Sequence, residues 1–164
     1  MKESYFSSKL RDDIKYMLDD GSNHVPHVYL IRDSYGSGKK PYDLYFTYFD
    51  SFYAIELKVC RGKSIRLDCV MKHQKEALYE VEHSGKCGKG YVIILLANYD
   101  KYKSLVIPIY KWSRLVKKYR DEKSLKIDYL FEHESDMVHV MERKKYDNKL
   151  HWDVINGILK YERD

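Results

Sequence analysis

Five apolar residues near the start of the chain recur at helical spacing: Phe6, Leu10, Ile14, Met17 and Leu18. The spacing predicts an amphipathic helix with one buried face, and Gly21 supplies a stop. A second set with helical spacing comprises Val70, Ala77, Leu78 and Val81. It predicts a second helix, which ends near Gly85.

Strand patterns occupy much of the remaining sequence. The predicted strands are residues 28–32, 44–49, 52–59, 91–97 and 105–110. Residues 91–97 (YVIILLA) are almost continuously apolar, which is typical of a central strand covered on both faces. A helix at 112–119 follows the last of these strands. The order helix, three strands, helix, strand, strand, helix predicts an α/β fold with a mixed sheet.

The organisation of the chain indicates one domain. The sequence contains no repeat, low-complexity tract or linker rich in Pro and Ser. We therefore expect a single domain over 1–164, with a core at about 3–120 and a C-terminal extension at 121–164 whose role the pattern does not define. Within the extension, residues 137–141 resemble a strand and residues 152–161 a helix.

The strands at 44–49 and 52–59 form a predicted hairpin with Asp50 and Ser51 as its turn. That turn pairs Phe46 with Ile55 and Asp43 with Lys58. Opposed residues share a face, and the face alternates along each strand. One face then carries only apolar or aromatic residues: Leu44, Phe46, Tyr48, Tyr53, Ile55, Leu57 and Val59. The other face carries Asp43, Tyr45, Thr47, Ala54, Glu56 and Lys58.

Two carboxylates and an ammonium group thus converge at the open end of the hairpin. Asp43 and Glu56 repel each other unless a cation lies between them, and Mg²⁺ prefers such oxygen ligands. Lys58 would polarise or deprotonate an attacking water and offset charge on a phosphorus atom. The alternative is a structural salt bridge, Lys58 with Asp43 or Glu56, on an exposed sheet face. The spacing alone does not choose between the two.

Two further polar residues lie on inward helix faces. Gln74 falls within the apolar stripe of the second helix, so its amide faces the sheet and needs a specific partner. The alternative is a core glutamine bonded to the backbone. Glu3 begins the inward face of the first helix. It is either an additional metal ligand or an acid that is favourable at a helix N-terminus.

These residues carry a resemblance to a known superfamily. Pro41-Tyr42-Asp43, followed by Glu56-Leu57-Lys58, resembles the signature of PD-(D/E)XK nucleases, with Tyr42 inserted in the usual Pro-Asp pair. Residues 63–67 (KSIRL) and 72–78 (KHQKEAL) resemble RecU-type Holliday junction resolvases, in which a basic, serine-containing segment and an HQ pair follow the Glu-x-Lys strand. The leading Glu-x-x-Phe helix is similar to VRR-type nucleases. The resemblance covers about residues 3–97.

The resemblance implies a restriction-endonuclease-like core, with a mixed central sheet flanked by helices. It implies Asp43 and Glu56 as ligands of Mg²⁺, with Mn²⁺ as a substitute, and the Leu57 carbonyl as an added ligand. Lys58 would be the water-activating cation and Gln74 would position water or phosphate. Glu3 would be the acid supplied by the first helix.

Composition and charge agree with a nucleic-acid substrate. The 164 residues include 30 Lys and Arg against 25 Asp and Glu, a net charge of +5, which is compatible with DNA binding without requiring it. Basic residues cluster around the candidate site, and the DNA-binding candidates are Lys40, Arg61, Lys63, Arg66, Lys72, His73 and Lys75. The alternative for part of this set is an ordinary solvated helix face.

Cysteine usage and hydropathy narrow the class further. The three cysteines, Cys60, Cys69 and Cys87, form no CxxC pair, which argues against a disulfide framework and a thiolate zinc site. No apolar run approaches the roughly 18–20 residues of a membrane-spanning helix. We expect a cytoplasmic protein of a bacterial, archaeal or phage-infected cell, with no membrane association.

The expected function is that of a Mg²⁺-dependent, structure-selective endodeoxyribonuclease. Resolution of Holliday junctions or other branched DNA in recombination and repair is the first hypothesis, and symmetric cutting implies a homodimer. One alternative is a phage or mobile-element nuclease that cuts flaps or duplex ends. Another is a catalytically inactive DNA-binding module on the same fold.

Overall fold

The computed structural model describes residues 2–19, 21, 27–31, 39–85 and 87–159. The helices are α1 (Glu3–Leu18), α2 (Lys72–His83), α3 (Ile109–Lys118), α4 (Ile127–His133) and α5 (Val154–Gly157). The strands are β1 (His27–Leu30), β2 (Leu44–Tyr48), β3 (Ser51–Cys60), β4 (Ser64–Arg66), β5 (Gly88–Leu96), β6 (Lys103–Pro108), β7 (Ser124–Lys126), β8 (His139–Tyr146) and β9 (Lys149–Trp152).

Seven of these strands form one mixed sheet, in the order β1-β2-β3-β5-β6-β8-β9. Among the strands of the described residues, only β3 and β5 pair in parallel, and α2 makes the crossover between them. The two short strands β4 and β7 pair with each other in a separate antiparallel ribbon. The strand β5 lies at the centre of the sheet and is buried from Tyr91 to Leu96, as its apolar run predicts.

Helices cover the two faces of the sheet differently. On one face, α1 packs its buried residues Phe6, Leu10 and Ile14 against the hairpin side chains Phe46 and Ile55. On the other face, α2 and α3 pack over β3, β5 and β6. This arrangement buries the face of β3 that carries Glu56, so the candidate chemistry does not lie on an exposed sheet face.

The C-terminal part of the chain adds strands to the same sheet. The side chains of Trp152, Val154 and Ile158 belong to the core between α1 and the sheet. The carboxylate of Asp13, 1% exposed, accepts the Trp152 backbone N–H at 3.0 Å and lies 2.7 Å from Nδ1 of His151. These contacts fasten β9 to α1.

Several element boundaries differ from the sequence prediction. Ile109 and Tyr110, expected at the end of a strand, form the start of α3. The helix expected at 152–161 is the single turn α5, because Trp152 is the last residue of β9 and Asp153 caps the helix by accepting the Asn156 N–H. Residues 160 and 161 of that prediction lie outside the described residues. The first strand begins at His27 and ends at Leu30, and residue 32 of its prediction also lies outside them.

Candidate active site

The β2–β3 hairpin places the two carboxylates opposite each other. Leu44 pairs with Ile55, and the Asp43 N–H donates to the Ile55 carbonyl at 3.0 Å. Continuing this register by one residue sets Asp43 across from Glu56. The expected pairing of Asp43 with Lys58 is therefore wrong by two residues.

The turn explains the difference in register. It uses Phe49 and Asp50, and Phe49 adopts the left-handed backbone with a φ of 49°. This turn lets Phe46 stack on Tyr53 with ring centroids 4.4 Å apart inside the core, while Phe49 stays exposed. A shift of two residues keeps every side chain on its expected face, because the face alternates with period two.

Asp43 is fixed by contacts to both of its oxygens. Its side chain is 3% exposed, and Oδ2 accepts the Leu57 backbone N–H at 2.8 Å. Oδ1 lies 2.5 Å from Nζ of Lys40, a contact that the sequence did not reveal. An acid and a lysine three residues apart in a loop give too weak a signal to predict this pair.

Glu56 is buried completely, and its two oxygens have different surroundings. Oε1 accepts hydrogen bonds from Nε2 of Gln74 at 2.6 Å and from Nζ of Lys58 at 2.7 Å. Oε2 is also buried, yet it has no hydrogen-bond partner in the described part of the chain. Burial, and next the charge of Asp43, raise the pKa of Glu56 to about 7, although Lys58 and Lys40 act against this.

Gln74 reaches Glu56 from the first turn of α2. Its Oε1 accepts the Met71 backbone N–H at 2.9 Å, so the amide holds the start of the helix and the carboxylate at once. The side chain is buried and faces the sheet, as its place in the apolar stripe predicts. Its partner is a buried carboxylate rather than the backbone alone.

Lys58, which pairs with Glu56, and Glu3 both line a cavity of about 250 Å³. Burial alone would lower the pKa of Lys58, but the hydrogen bond to Glu56 and the surrounding acids outweigh it and raise the pKa. Burial raises the pKa of Glu3, and the charge of Lys58 acts in the opposite direction. Lys58 is therefore an ammonium ion at neutral pH.

The predicted DNA-binding residues fall into two groups. Lys40, Arg61 and Arg66 lie at the site, Lys40 on Asp43 and the two arginines along the cavity. The remaining four lie on the exposed segment after β3 or on α2: Lys63, Lys72, His73 and Lys75. Of these, Lys72 pairs with Glu76 at 3.7 Å on the helix surface.

The donor set fits a hard divalent cation. Glu56 offers a buried oxygen that no described residue bonds, and Asp43, directly before β2, offers a second carboxylate. Both could hold Mg²⁺, with the Leu57 carbonyl, water and phosphate oxygens as further ligands. Across the described ranges, no group of three His, Cys, Asp or Glu side chains is arranged to hold a metal ion. Lys58 and Asp43 both act on the charge of Glu3, whose role as the acid supplied by the first helix stays a prediction.

A mixed sheet flanked by helices, with Asp43 and Glu56-x-Lys58 on one of its hairpins, defines a restriction-endonuclease-like fold. The solved structure of Hjc from Archaeoglobus fulgidus, a Holliday junction resolvase from an archaeal hyperthermophile, is similar to this chain. The match has a TM-score of 0.51 at 15% sequence identity and covers 76% of this chain and 86% of Hjc. It confirms the expected fold, and the resemblance to PD-(D/E)XK nucleases at the level of the fold.

The two other comparisons found no similar sequence. No protein-family model and no curated protein match the sequence. The finer resemblances to RecU-type and VRR-type nucleases, and the roles of the individual site residues, therefore stay predictions. In the described part of the chain, no helix is both long and apolar enough to span a membrane.

Proposed function

We propose that the protein is a Mg²⁺-dependent endodeoxyribonuclease that cuts branched DNA, four-way junctions above all. The observation that carries the proposal is the buried Glu56 carboxylate, which lies opposite Asp43 and has one oxygen without a hydrogen-bond partner among the described residues. A buried carboxylate oxygen without a partner is costly, and a divalent cation would satisfy it. The fold shared with Hjc, itself a Holliday junction resolvase, supports DNA as the substrate.

Four side chains of the site have different roles in the proposed hydrolysis. Asp43 and Glu56 would hold Mg²⁺, which supplies Lewis-acid activation of water and phosphate when it is bound. Lys58, held as an ammonium ion 2.7 Å from Glu56, offsets the charge that develops on the phosphate oxygens. Gln74 is a positioning residue, because it fixes the carboxylate of Glu56.

The reaction is the hydrolysis of one phosphodiester bond. The oxygen of a water molecule bonds to phosphorus, and the bond from phosphorus to the 3′ oxygen breaks. The 3′ oxygen leaves with a proton that comes from the water, so the products are a 3′-hydroxyl and a 5′-phosphate. Lys58 is protonated at neutral pH, so it acts on this step through its charge and not as the base.

The oligomeric state and location belong to the same proposal. A four-way junction is cut in two strands related by symmetry, so we propose that the active form is a homodimer in a reducing cytosol. Analytical ultracentrifugation of the free protein and of its junction complex measures this directly. A complex with one copy per junction would contradict the dimer.

The first experiment compares a labelled four-way junction with a linear duplex of matched sequence, each with Mg²⁺ and with EDTA. We expect paired nicks near the crossover that require Mg²⁺. Equal cutting of the two substrates would retain the nuclease and refute junction selectivity. Tight binding without cutting would favour the alternative of an inactive DNA-binding module.

Lys58→Ala tests the site itself. We expect the cleavage rate to fall by at least about 100-fold, because a donor aimed at developing charge contributes on this scale. Junction binding should persist, since most of the basic surface is unchanged. Lys145→Ala, an exposed lysine on β8, is the matched control and should cleave normally. Full activity in Lys58→Ala would refute the assignment.

A further inference from the structure

A row of aromatic rings crosses the sheet beside the candidate active site. We define the aromatic strip as His27, Tyr29, Tyr45 and Phe52. Ring centroids are 6.5 Å apart for His27 and Tyr29, 5.1 Å for Tyr29 and Tyr45, and 5.5 Å for Tyr45 and Phe52. The planes of neighbouring rings differ by 13°, 22° and 28°, so the rings stand nearly parallel from β1 to β3.

The strip is continuous with the pair of carboxylates. Tyr29 pairs directly with Tyr45, and Tyr45 follows Asp43 by two residues on the same face, which is about 7 Å along the strand. The ring of Tyr42, the residue before Asp43, meets Tyr45 edge-on with centroids 6.5 Å apart. A phosphate group bound at Asp43 would therefore lie next to the aromatic strip.

Phe52 packs against the core beneath α2, but core packing does not account for the exposed ring of Tyr29. Phe46 and Tyr53 also stack across the hairpin, but on the opposite face, where α1 buries them completely or nearly so. Tyr29, in contrast, is 49% exposed on the edge strand β1. Among the described residues, α1 packs on the other face of β1 and α2 lies over β3 and β5, so neither helix covers the ring of Tyr29.

We propose that the aromatic strip stacks unpaired bases of the DNA strand next to the bond that is cut. This inference rests on the proposed nuclease function and specifies that nucleotides at the branch point of its DNA are unpaired in the complex. Every base has a π-face, so rings in a row bind single strands without sequence preference. The exposed Lys39, together with Lys40 and Lys58 at the site, supplies positive charge for the backbone of such a strand.

The test uses two DNA ligands that differ only in their bases. A labelled single-stranded oligo-dT and an abasic oligonucleotide of equal length carry the same phosphate charge. Their affinities are measured by fluorescence anisotropy in EDTA, where no cleavage occurs. We expect the wild type to bind oligo-dT more tightly than the abasic strand by about 5-fold to 150-fold, the range for stacking one base on an aromatic side chain.

Variants assign this preference to the strip. Tyr29→Val keeps the strand propensity of β1 but removes the most exposed tyrosine ring of the strip, so the preference should fall at least about 5-fold, by the contribution of one stacked base, while affinity for the abasic strand is retained. Tyr29→Phe keeps the ring and should retain the preference. Tyr110→Ala is the control, because Tyr110 is similarly exposed, at 44%, but lies on α3 away from the strip.

Several outcomes would overturn the inference. A wild type that binds both strands equally refutes it without any variant, even if Tyr29→Val fails to fold. Equal loss of affinity for both strands in Tyr29→Val, with a change in sedimentation, would make the strip an interface between copies of the chain. If the protein cleaves junctions but shows no preference for bases, the stacking role of the aromatic strip is refuted and the nuclease function is retained. A preference for bases without any cleavage refutes only the nuclease.

Discussion

The substitution Glu56→Gln tests whether the burial of this carboxylate controls the stability of the metal-free protein. Burial, followed by the charge of Asp43, raises the pKa of Glu56 from its ordinary value of 4.5 to about 7. In the unfolded chain the ordinary value applies. One pKa unit corresponds to about 1.4 kcal/mol, so ionising Glu56 costs the folded state about 3 kcal/mol.

The sign of the effect follows from which state holds the proton. Below pH 4.5, Glu56 is protonated in both states and contributes no pH dependence. Between pH 4.5 and 7 the unfolded chain releases a proton that the folded protein keeps, so the free energy of unfolding decreases as pH rises. Above pH 7 the loss is complete. Glutamine does not ionise, so it lacks this decrease and adds only a constant offset.

Urea unfolding between pH 4.5 and 8, with EDTA present throughout, measures the difference. We expect the stability of the wild type to fall by about 3 kcal/mol relative to Glu56→Gln across this range. Glu80→Gln removes an exposed carboxylate from α2 and is the control, whose pH profile should follow the wild type. If the wild-type and Glu56→Gln profiles run parallel, the burial argument is refuted.

Addition of Mg²⁺ at pH 8 extends the same experiment. Metal binding requires the ionised carboxylate, so Mg²⁺ should stabilise the wild type in proportion to the logarithm of its concentration above the dissociation constant. Glu56→Gln loses a charged ligand and should respond only weakly. An equal response in the two proteins would place the metal elsewhere.

Two further substitutions test how α2 supports the site. Gln74→Leu removes one donor to the buried Glu56 carboxylate, so we expect a loss of about 1–3 kcal/mol in urea unfolding and slower single-turnover cleavage at unchanged DNA affinity. Gly90→Ala places a methyl group 2.7 Å from the Leu78 carbonyl oxygen, so α2 must move away from β5. We expect a loss of about 1–3 kcal/mol in thermal unfolding and reduced cleavage, and wild-type values for both would contradict this.

The hairpin shows what the sequence could and could not predict. Period-two alternation assigned Asp43, Glu56 and Lys58 to one face, and this assignment tolerates any even shift of register. Local rules predict the wrong turn, because Asp50-Ser51 is a better turn sequence than the observed Phe49-Asp50. Stacking of Phe46 on Tyr53 accompanies the observed turn, and such a tertiary contact is not encoded in the turn residues themselves.

Long-range contacts set the other limit. The apolar stripe of α2 was sufficient to turn Gln74 toward the sheet, but not to identify Glu56 as its partner. Likewise, the pairing of Trp152 and His151 with Asp13 joins residues more than 130 positions apart, and this contact keeps Trp152 in a strand where local spacing predicted a helix. Local periodicity predicts which way a side chain points, whereas tertiary packing determines which residue it contacts.

Coverage by α2 divides one face of the hairpin into two chemically different regions. Where α2 lies over β3, Glu56 is fully buried, and the loss of water raises its pKa and leaves an oxygen that a cation can satisfy. At β1, beyond the reach of that helix, Tyr29 keeps half of its surface in solvent on the same face. A buried charged group suits the binding of a metal and the hydrolysis of phosphate, whereas exposed rings suit stacking. The boundary between them lies at Asp43 and Tyr45, so a strand that enters the site would also meet the rings.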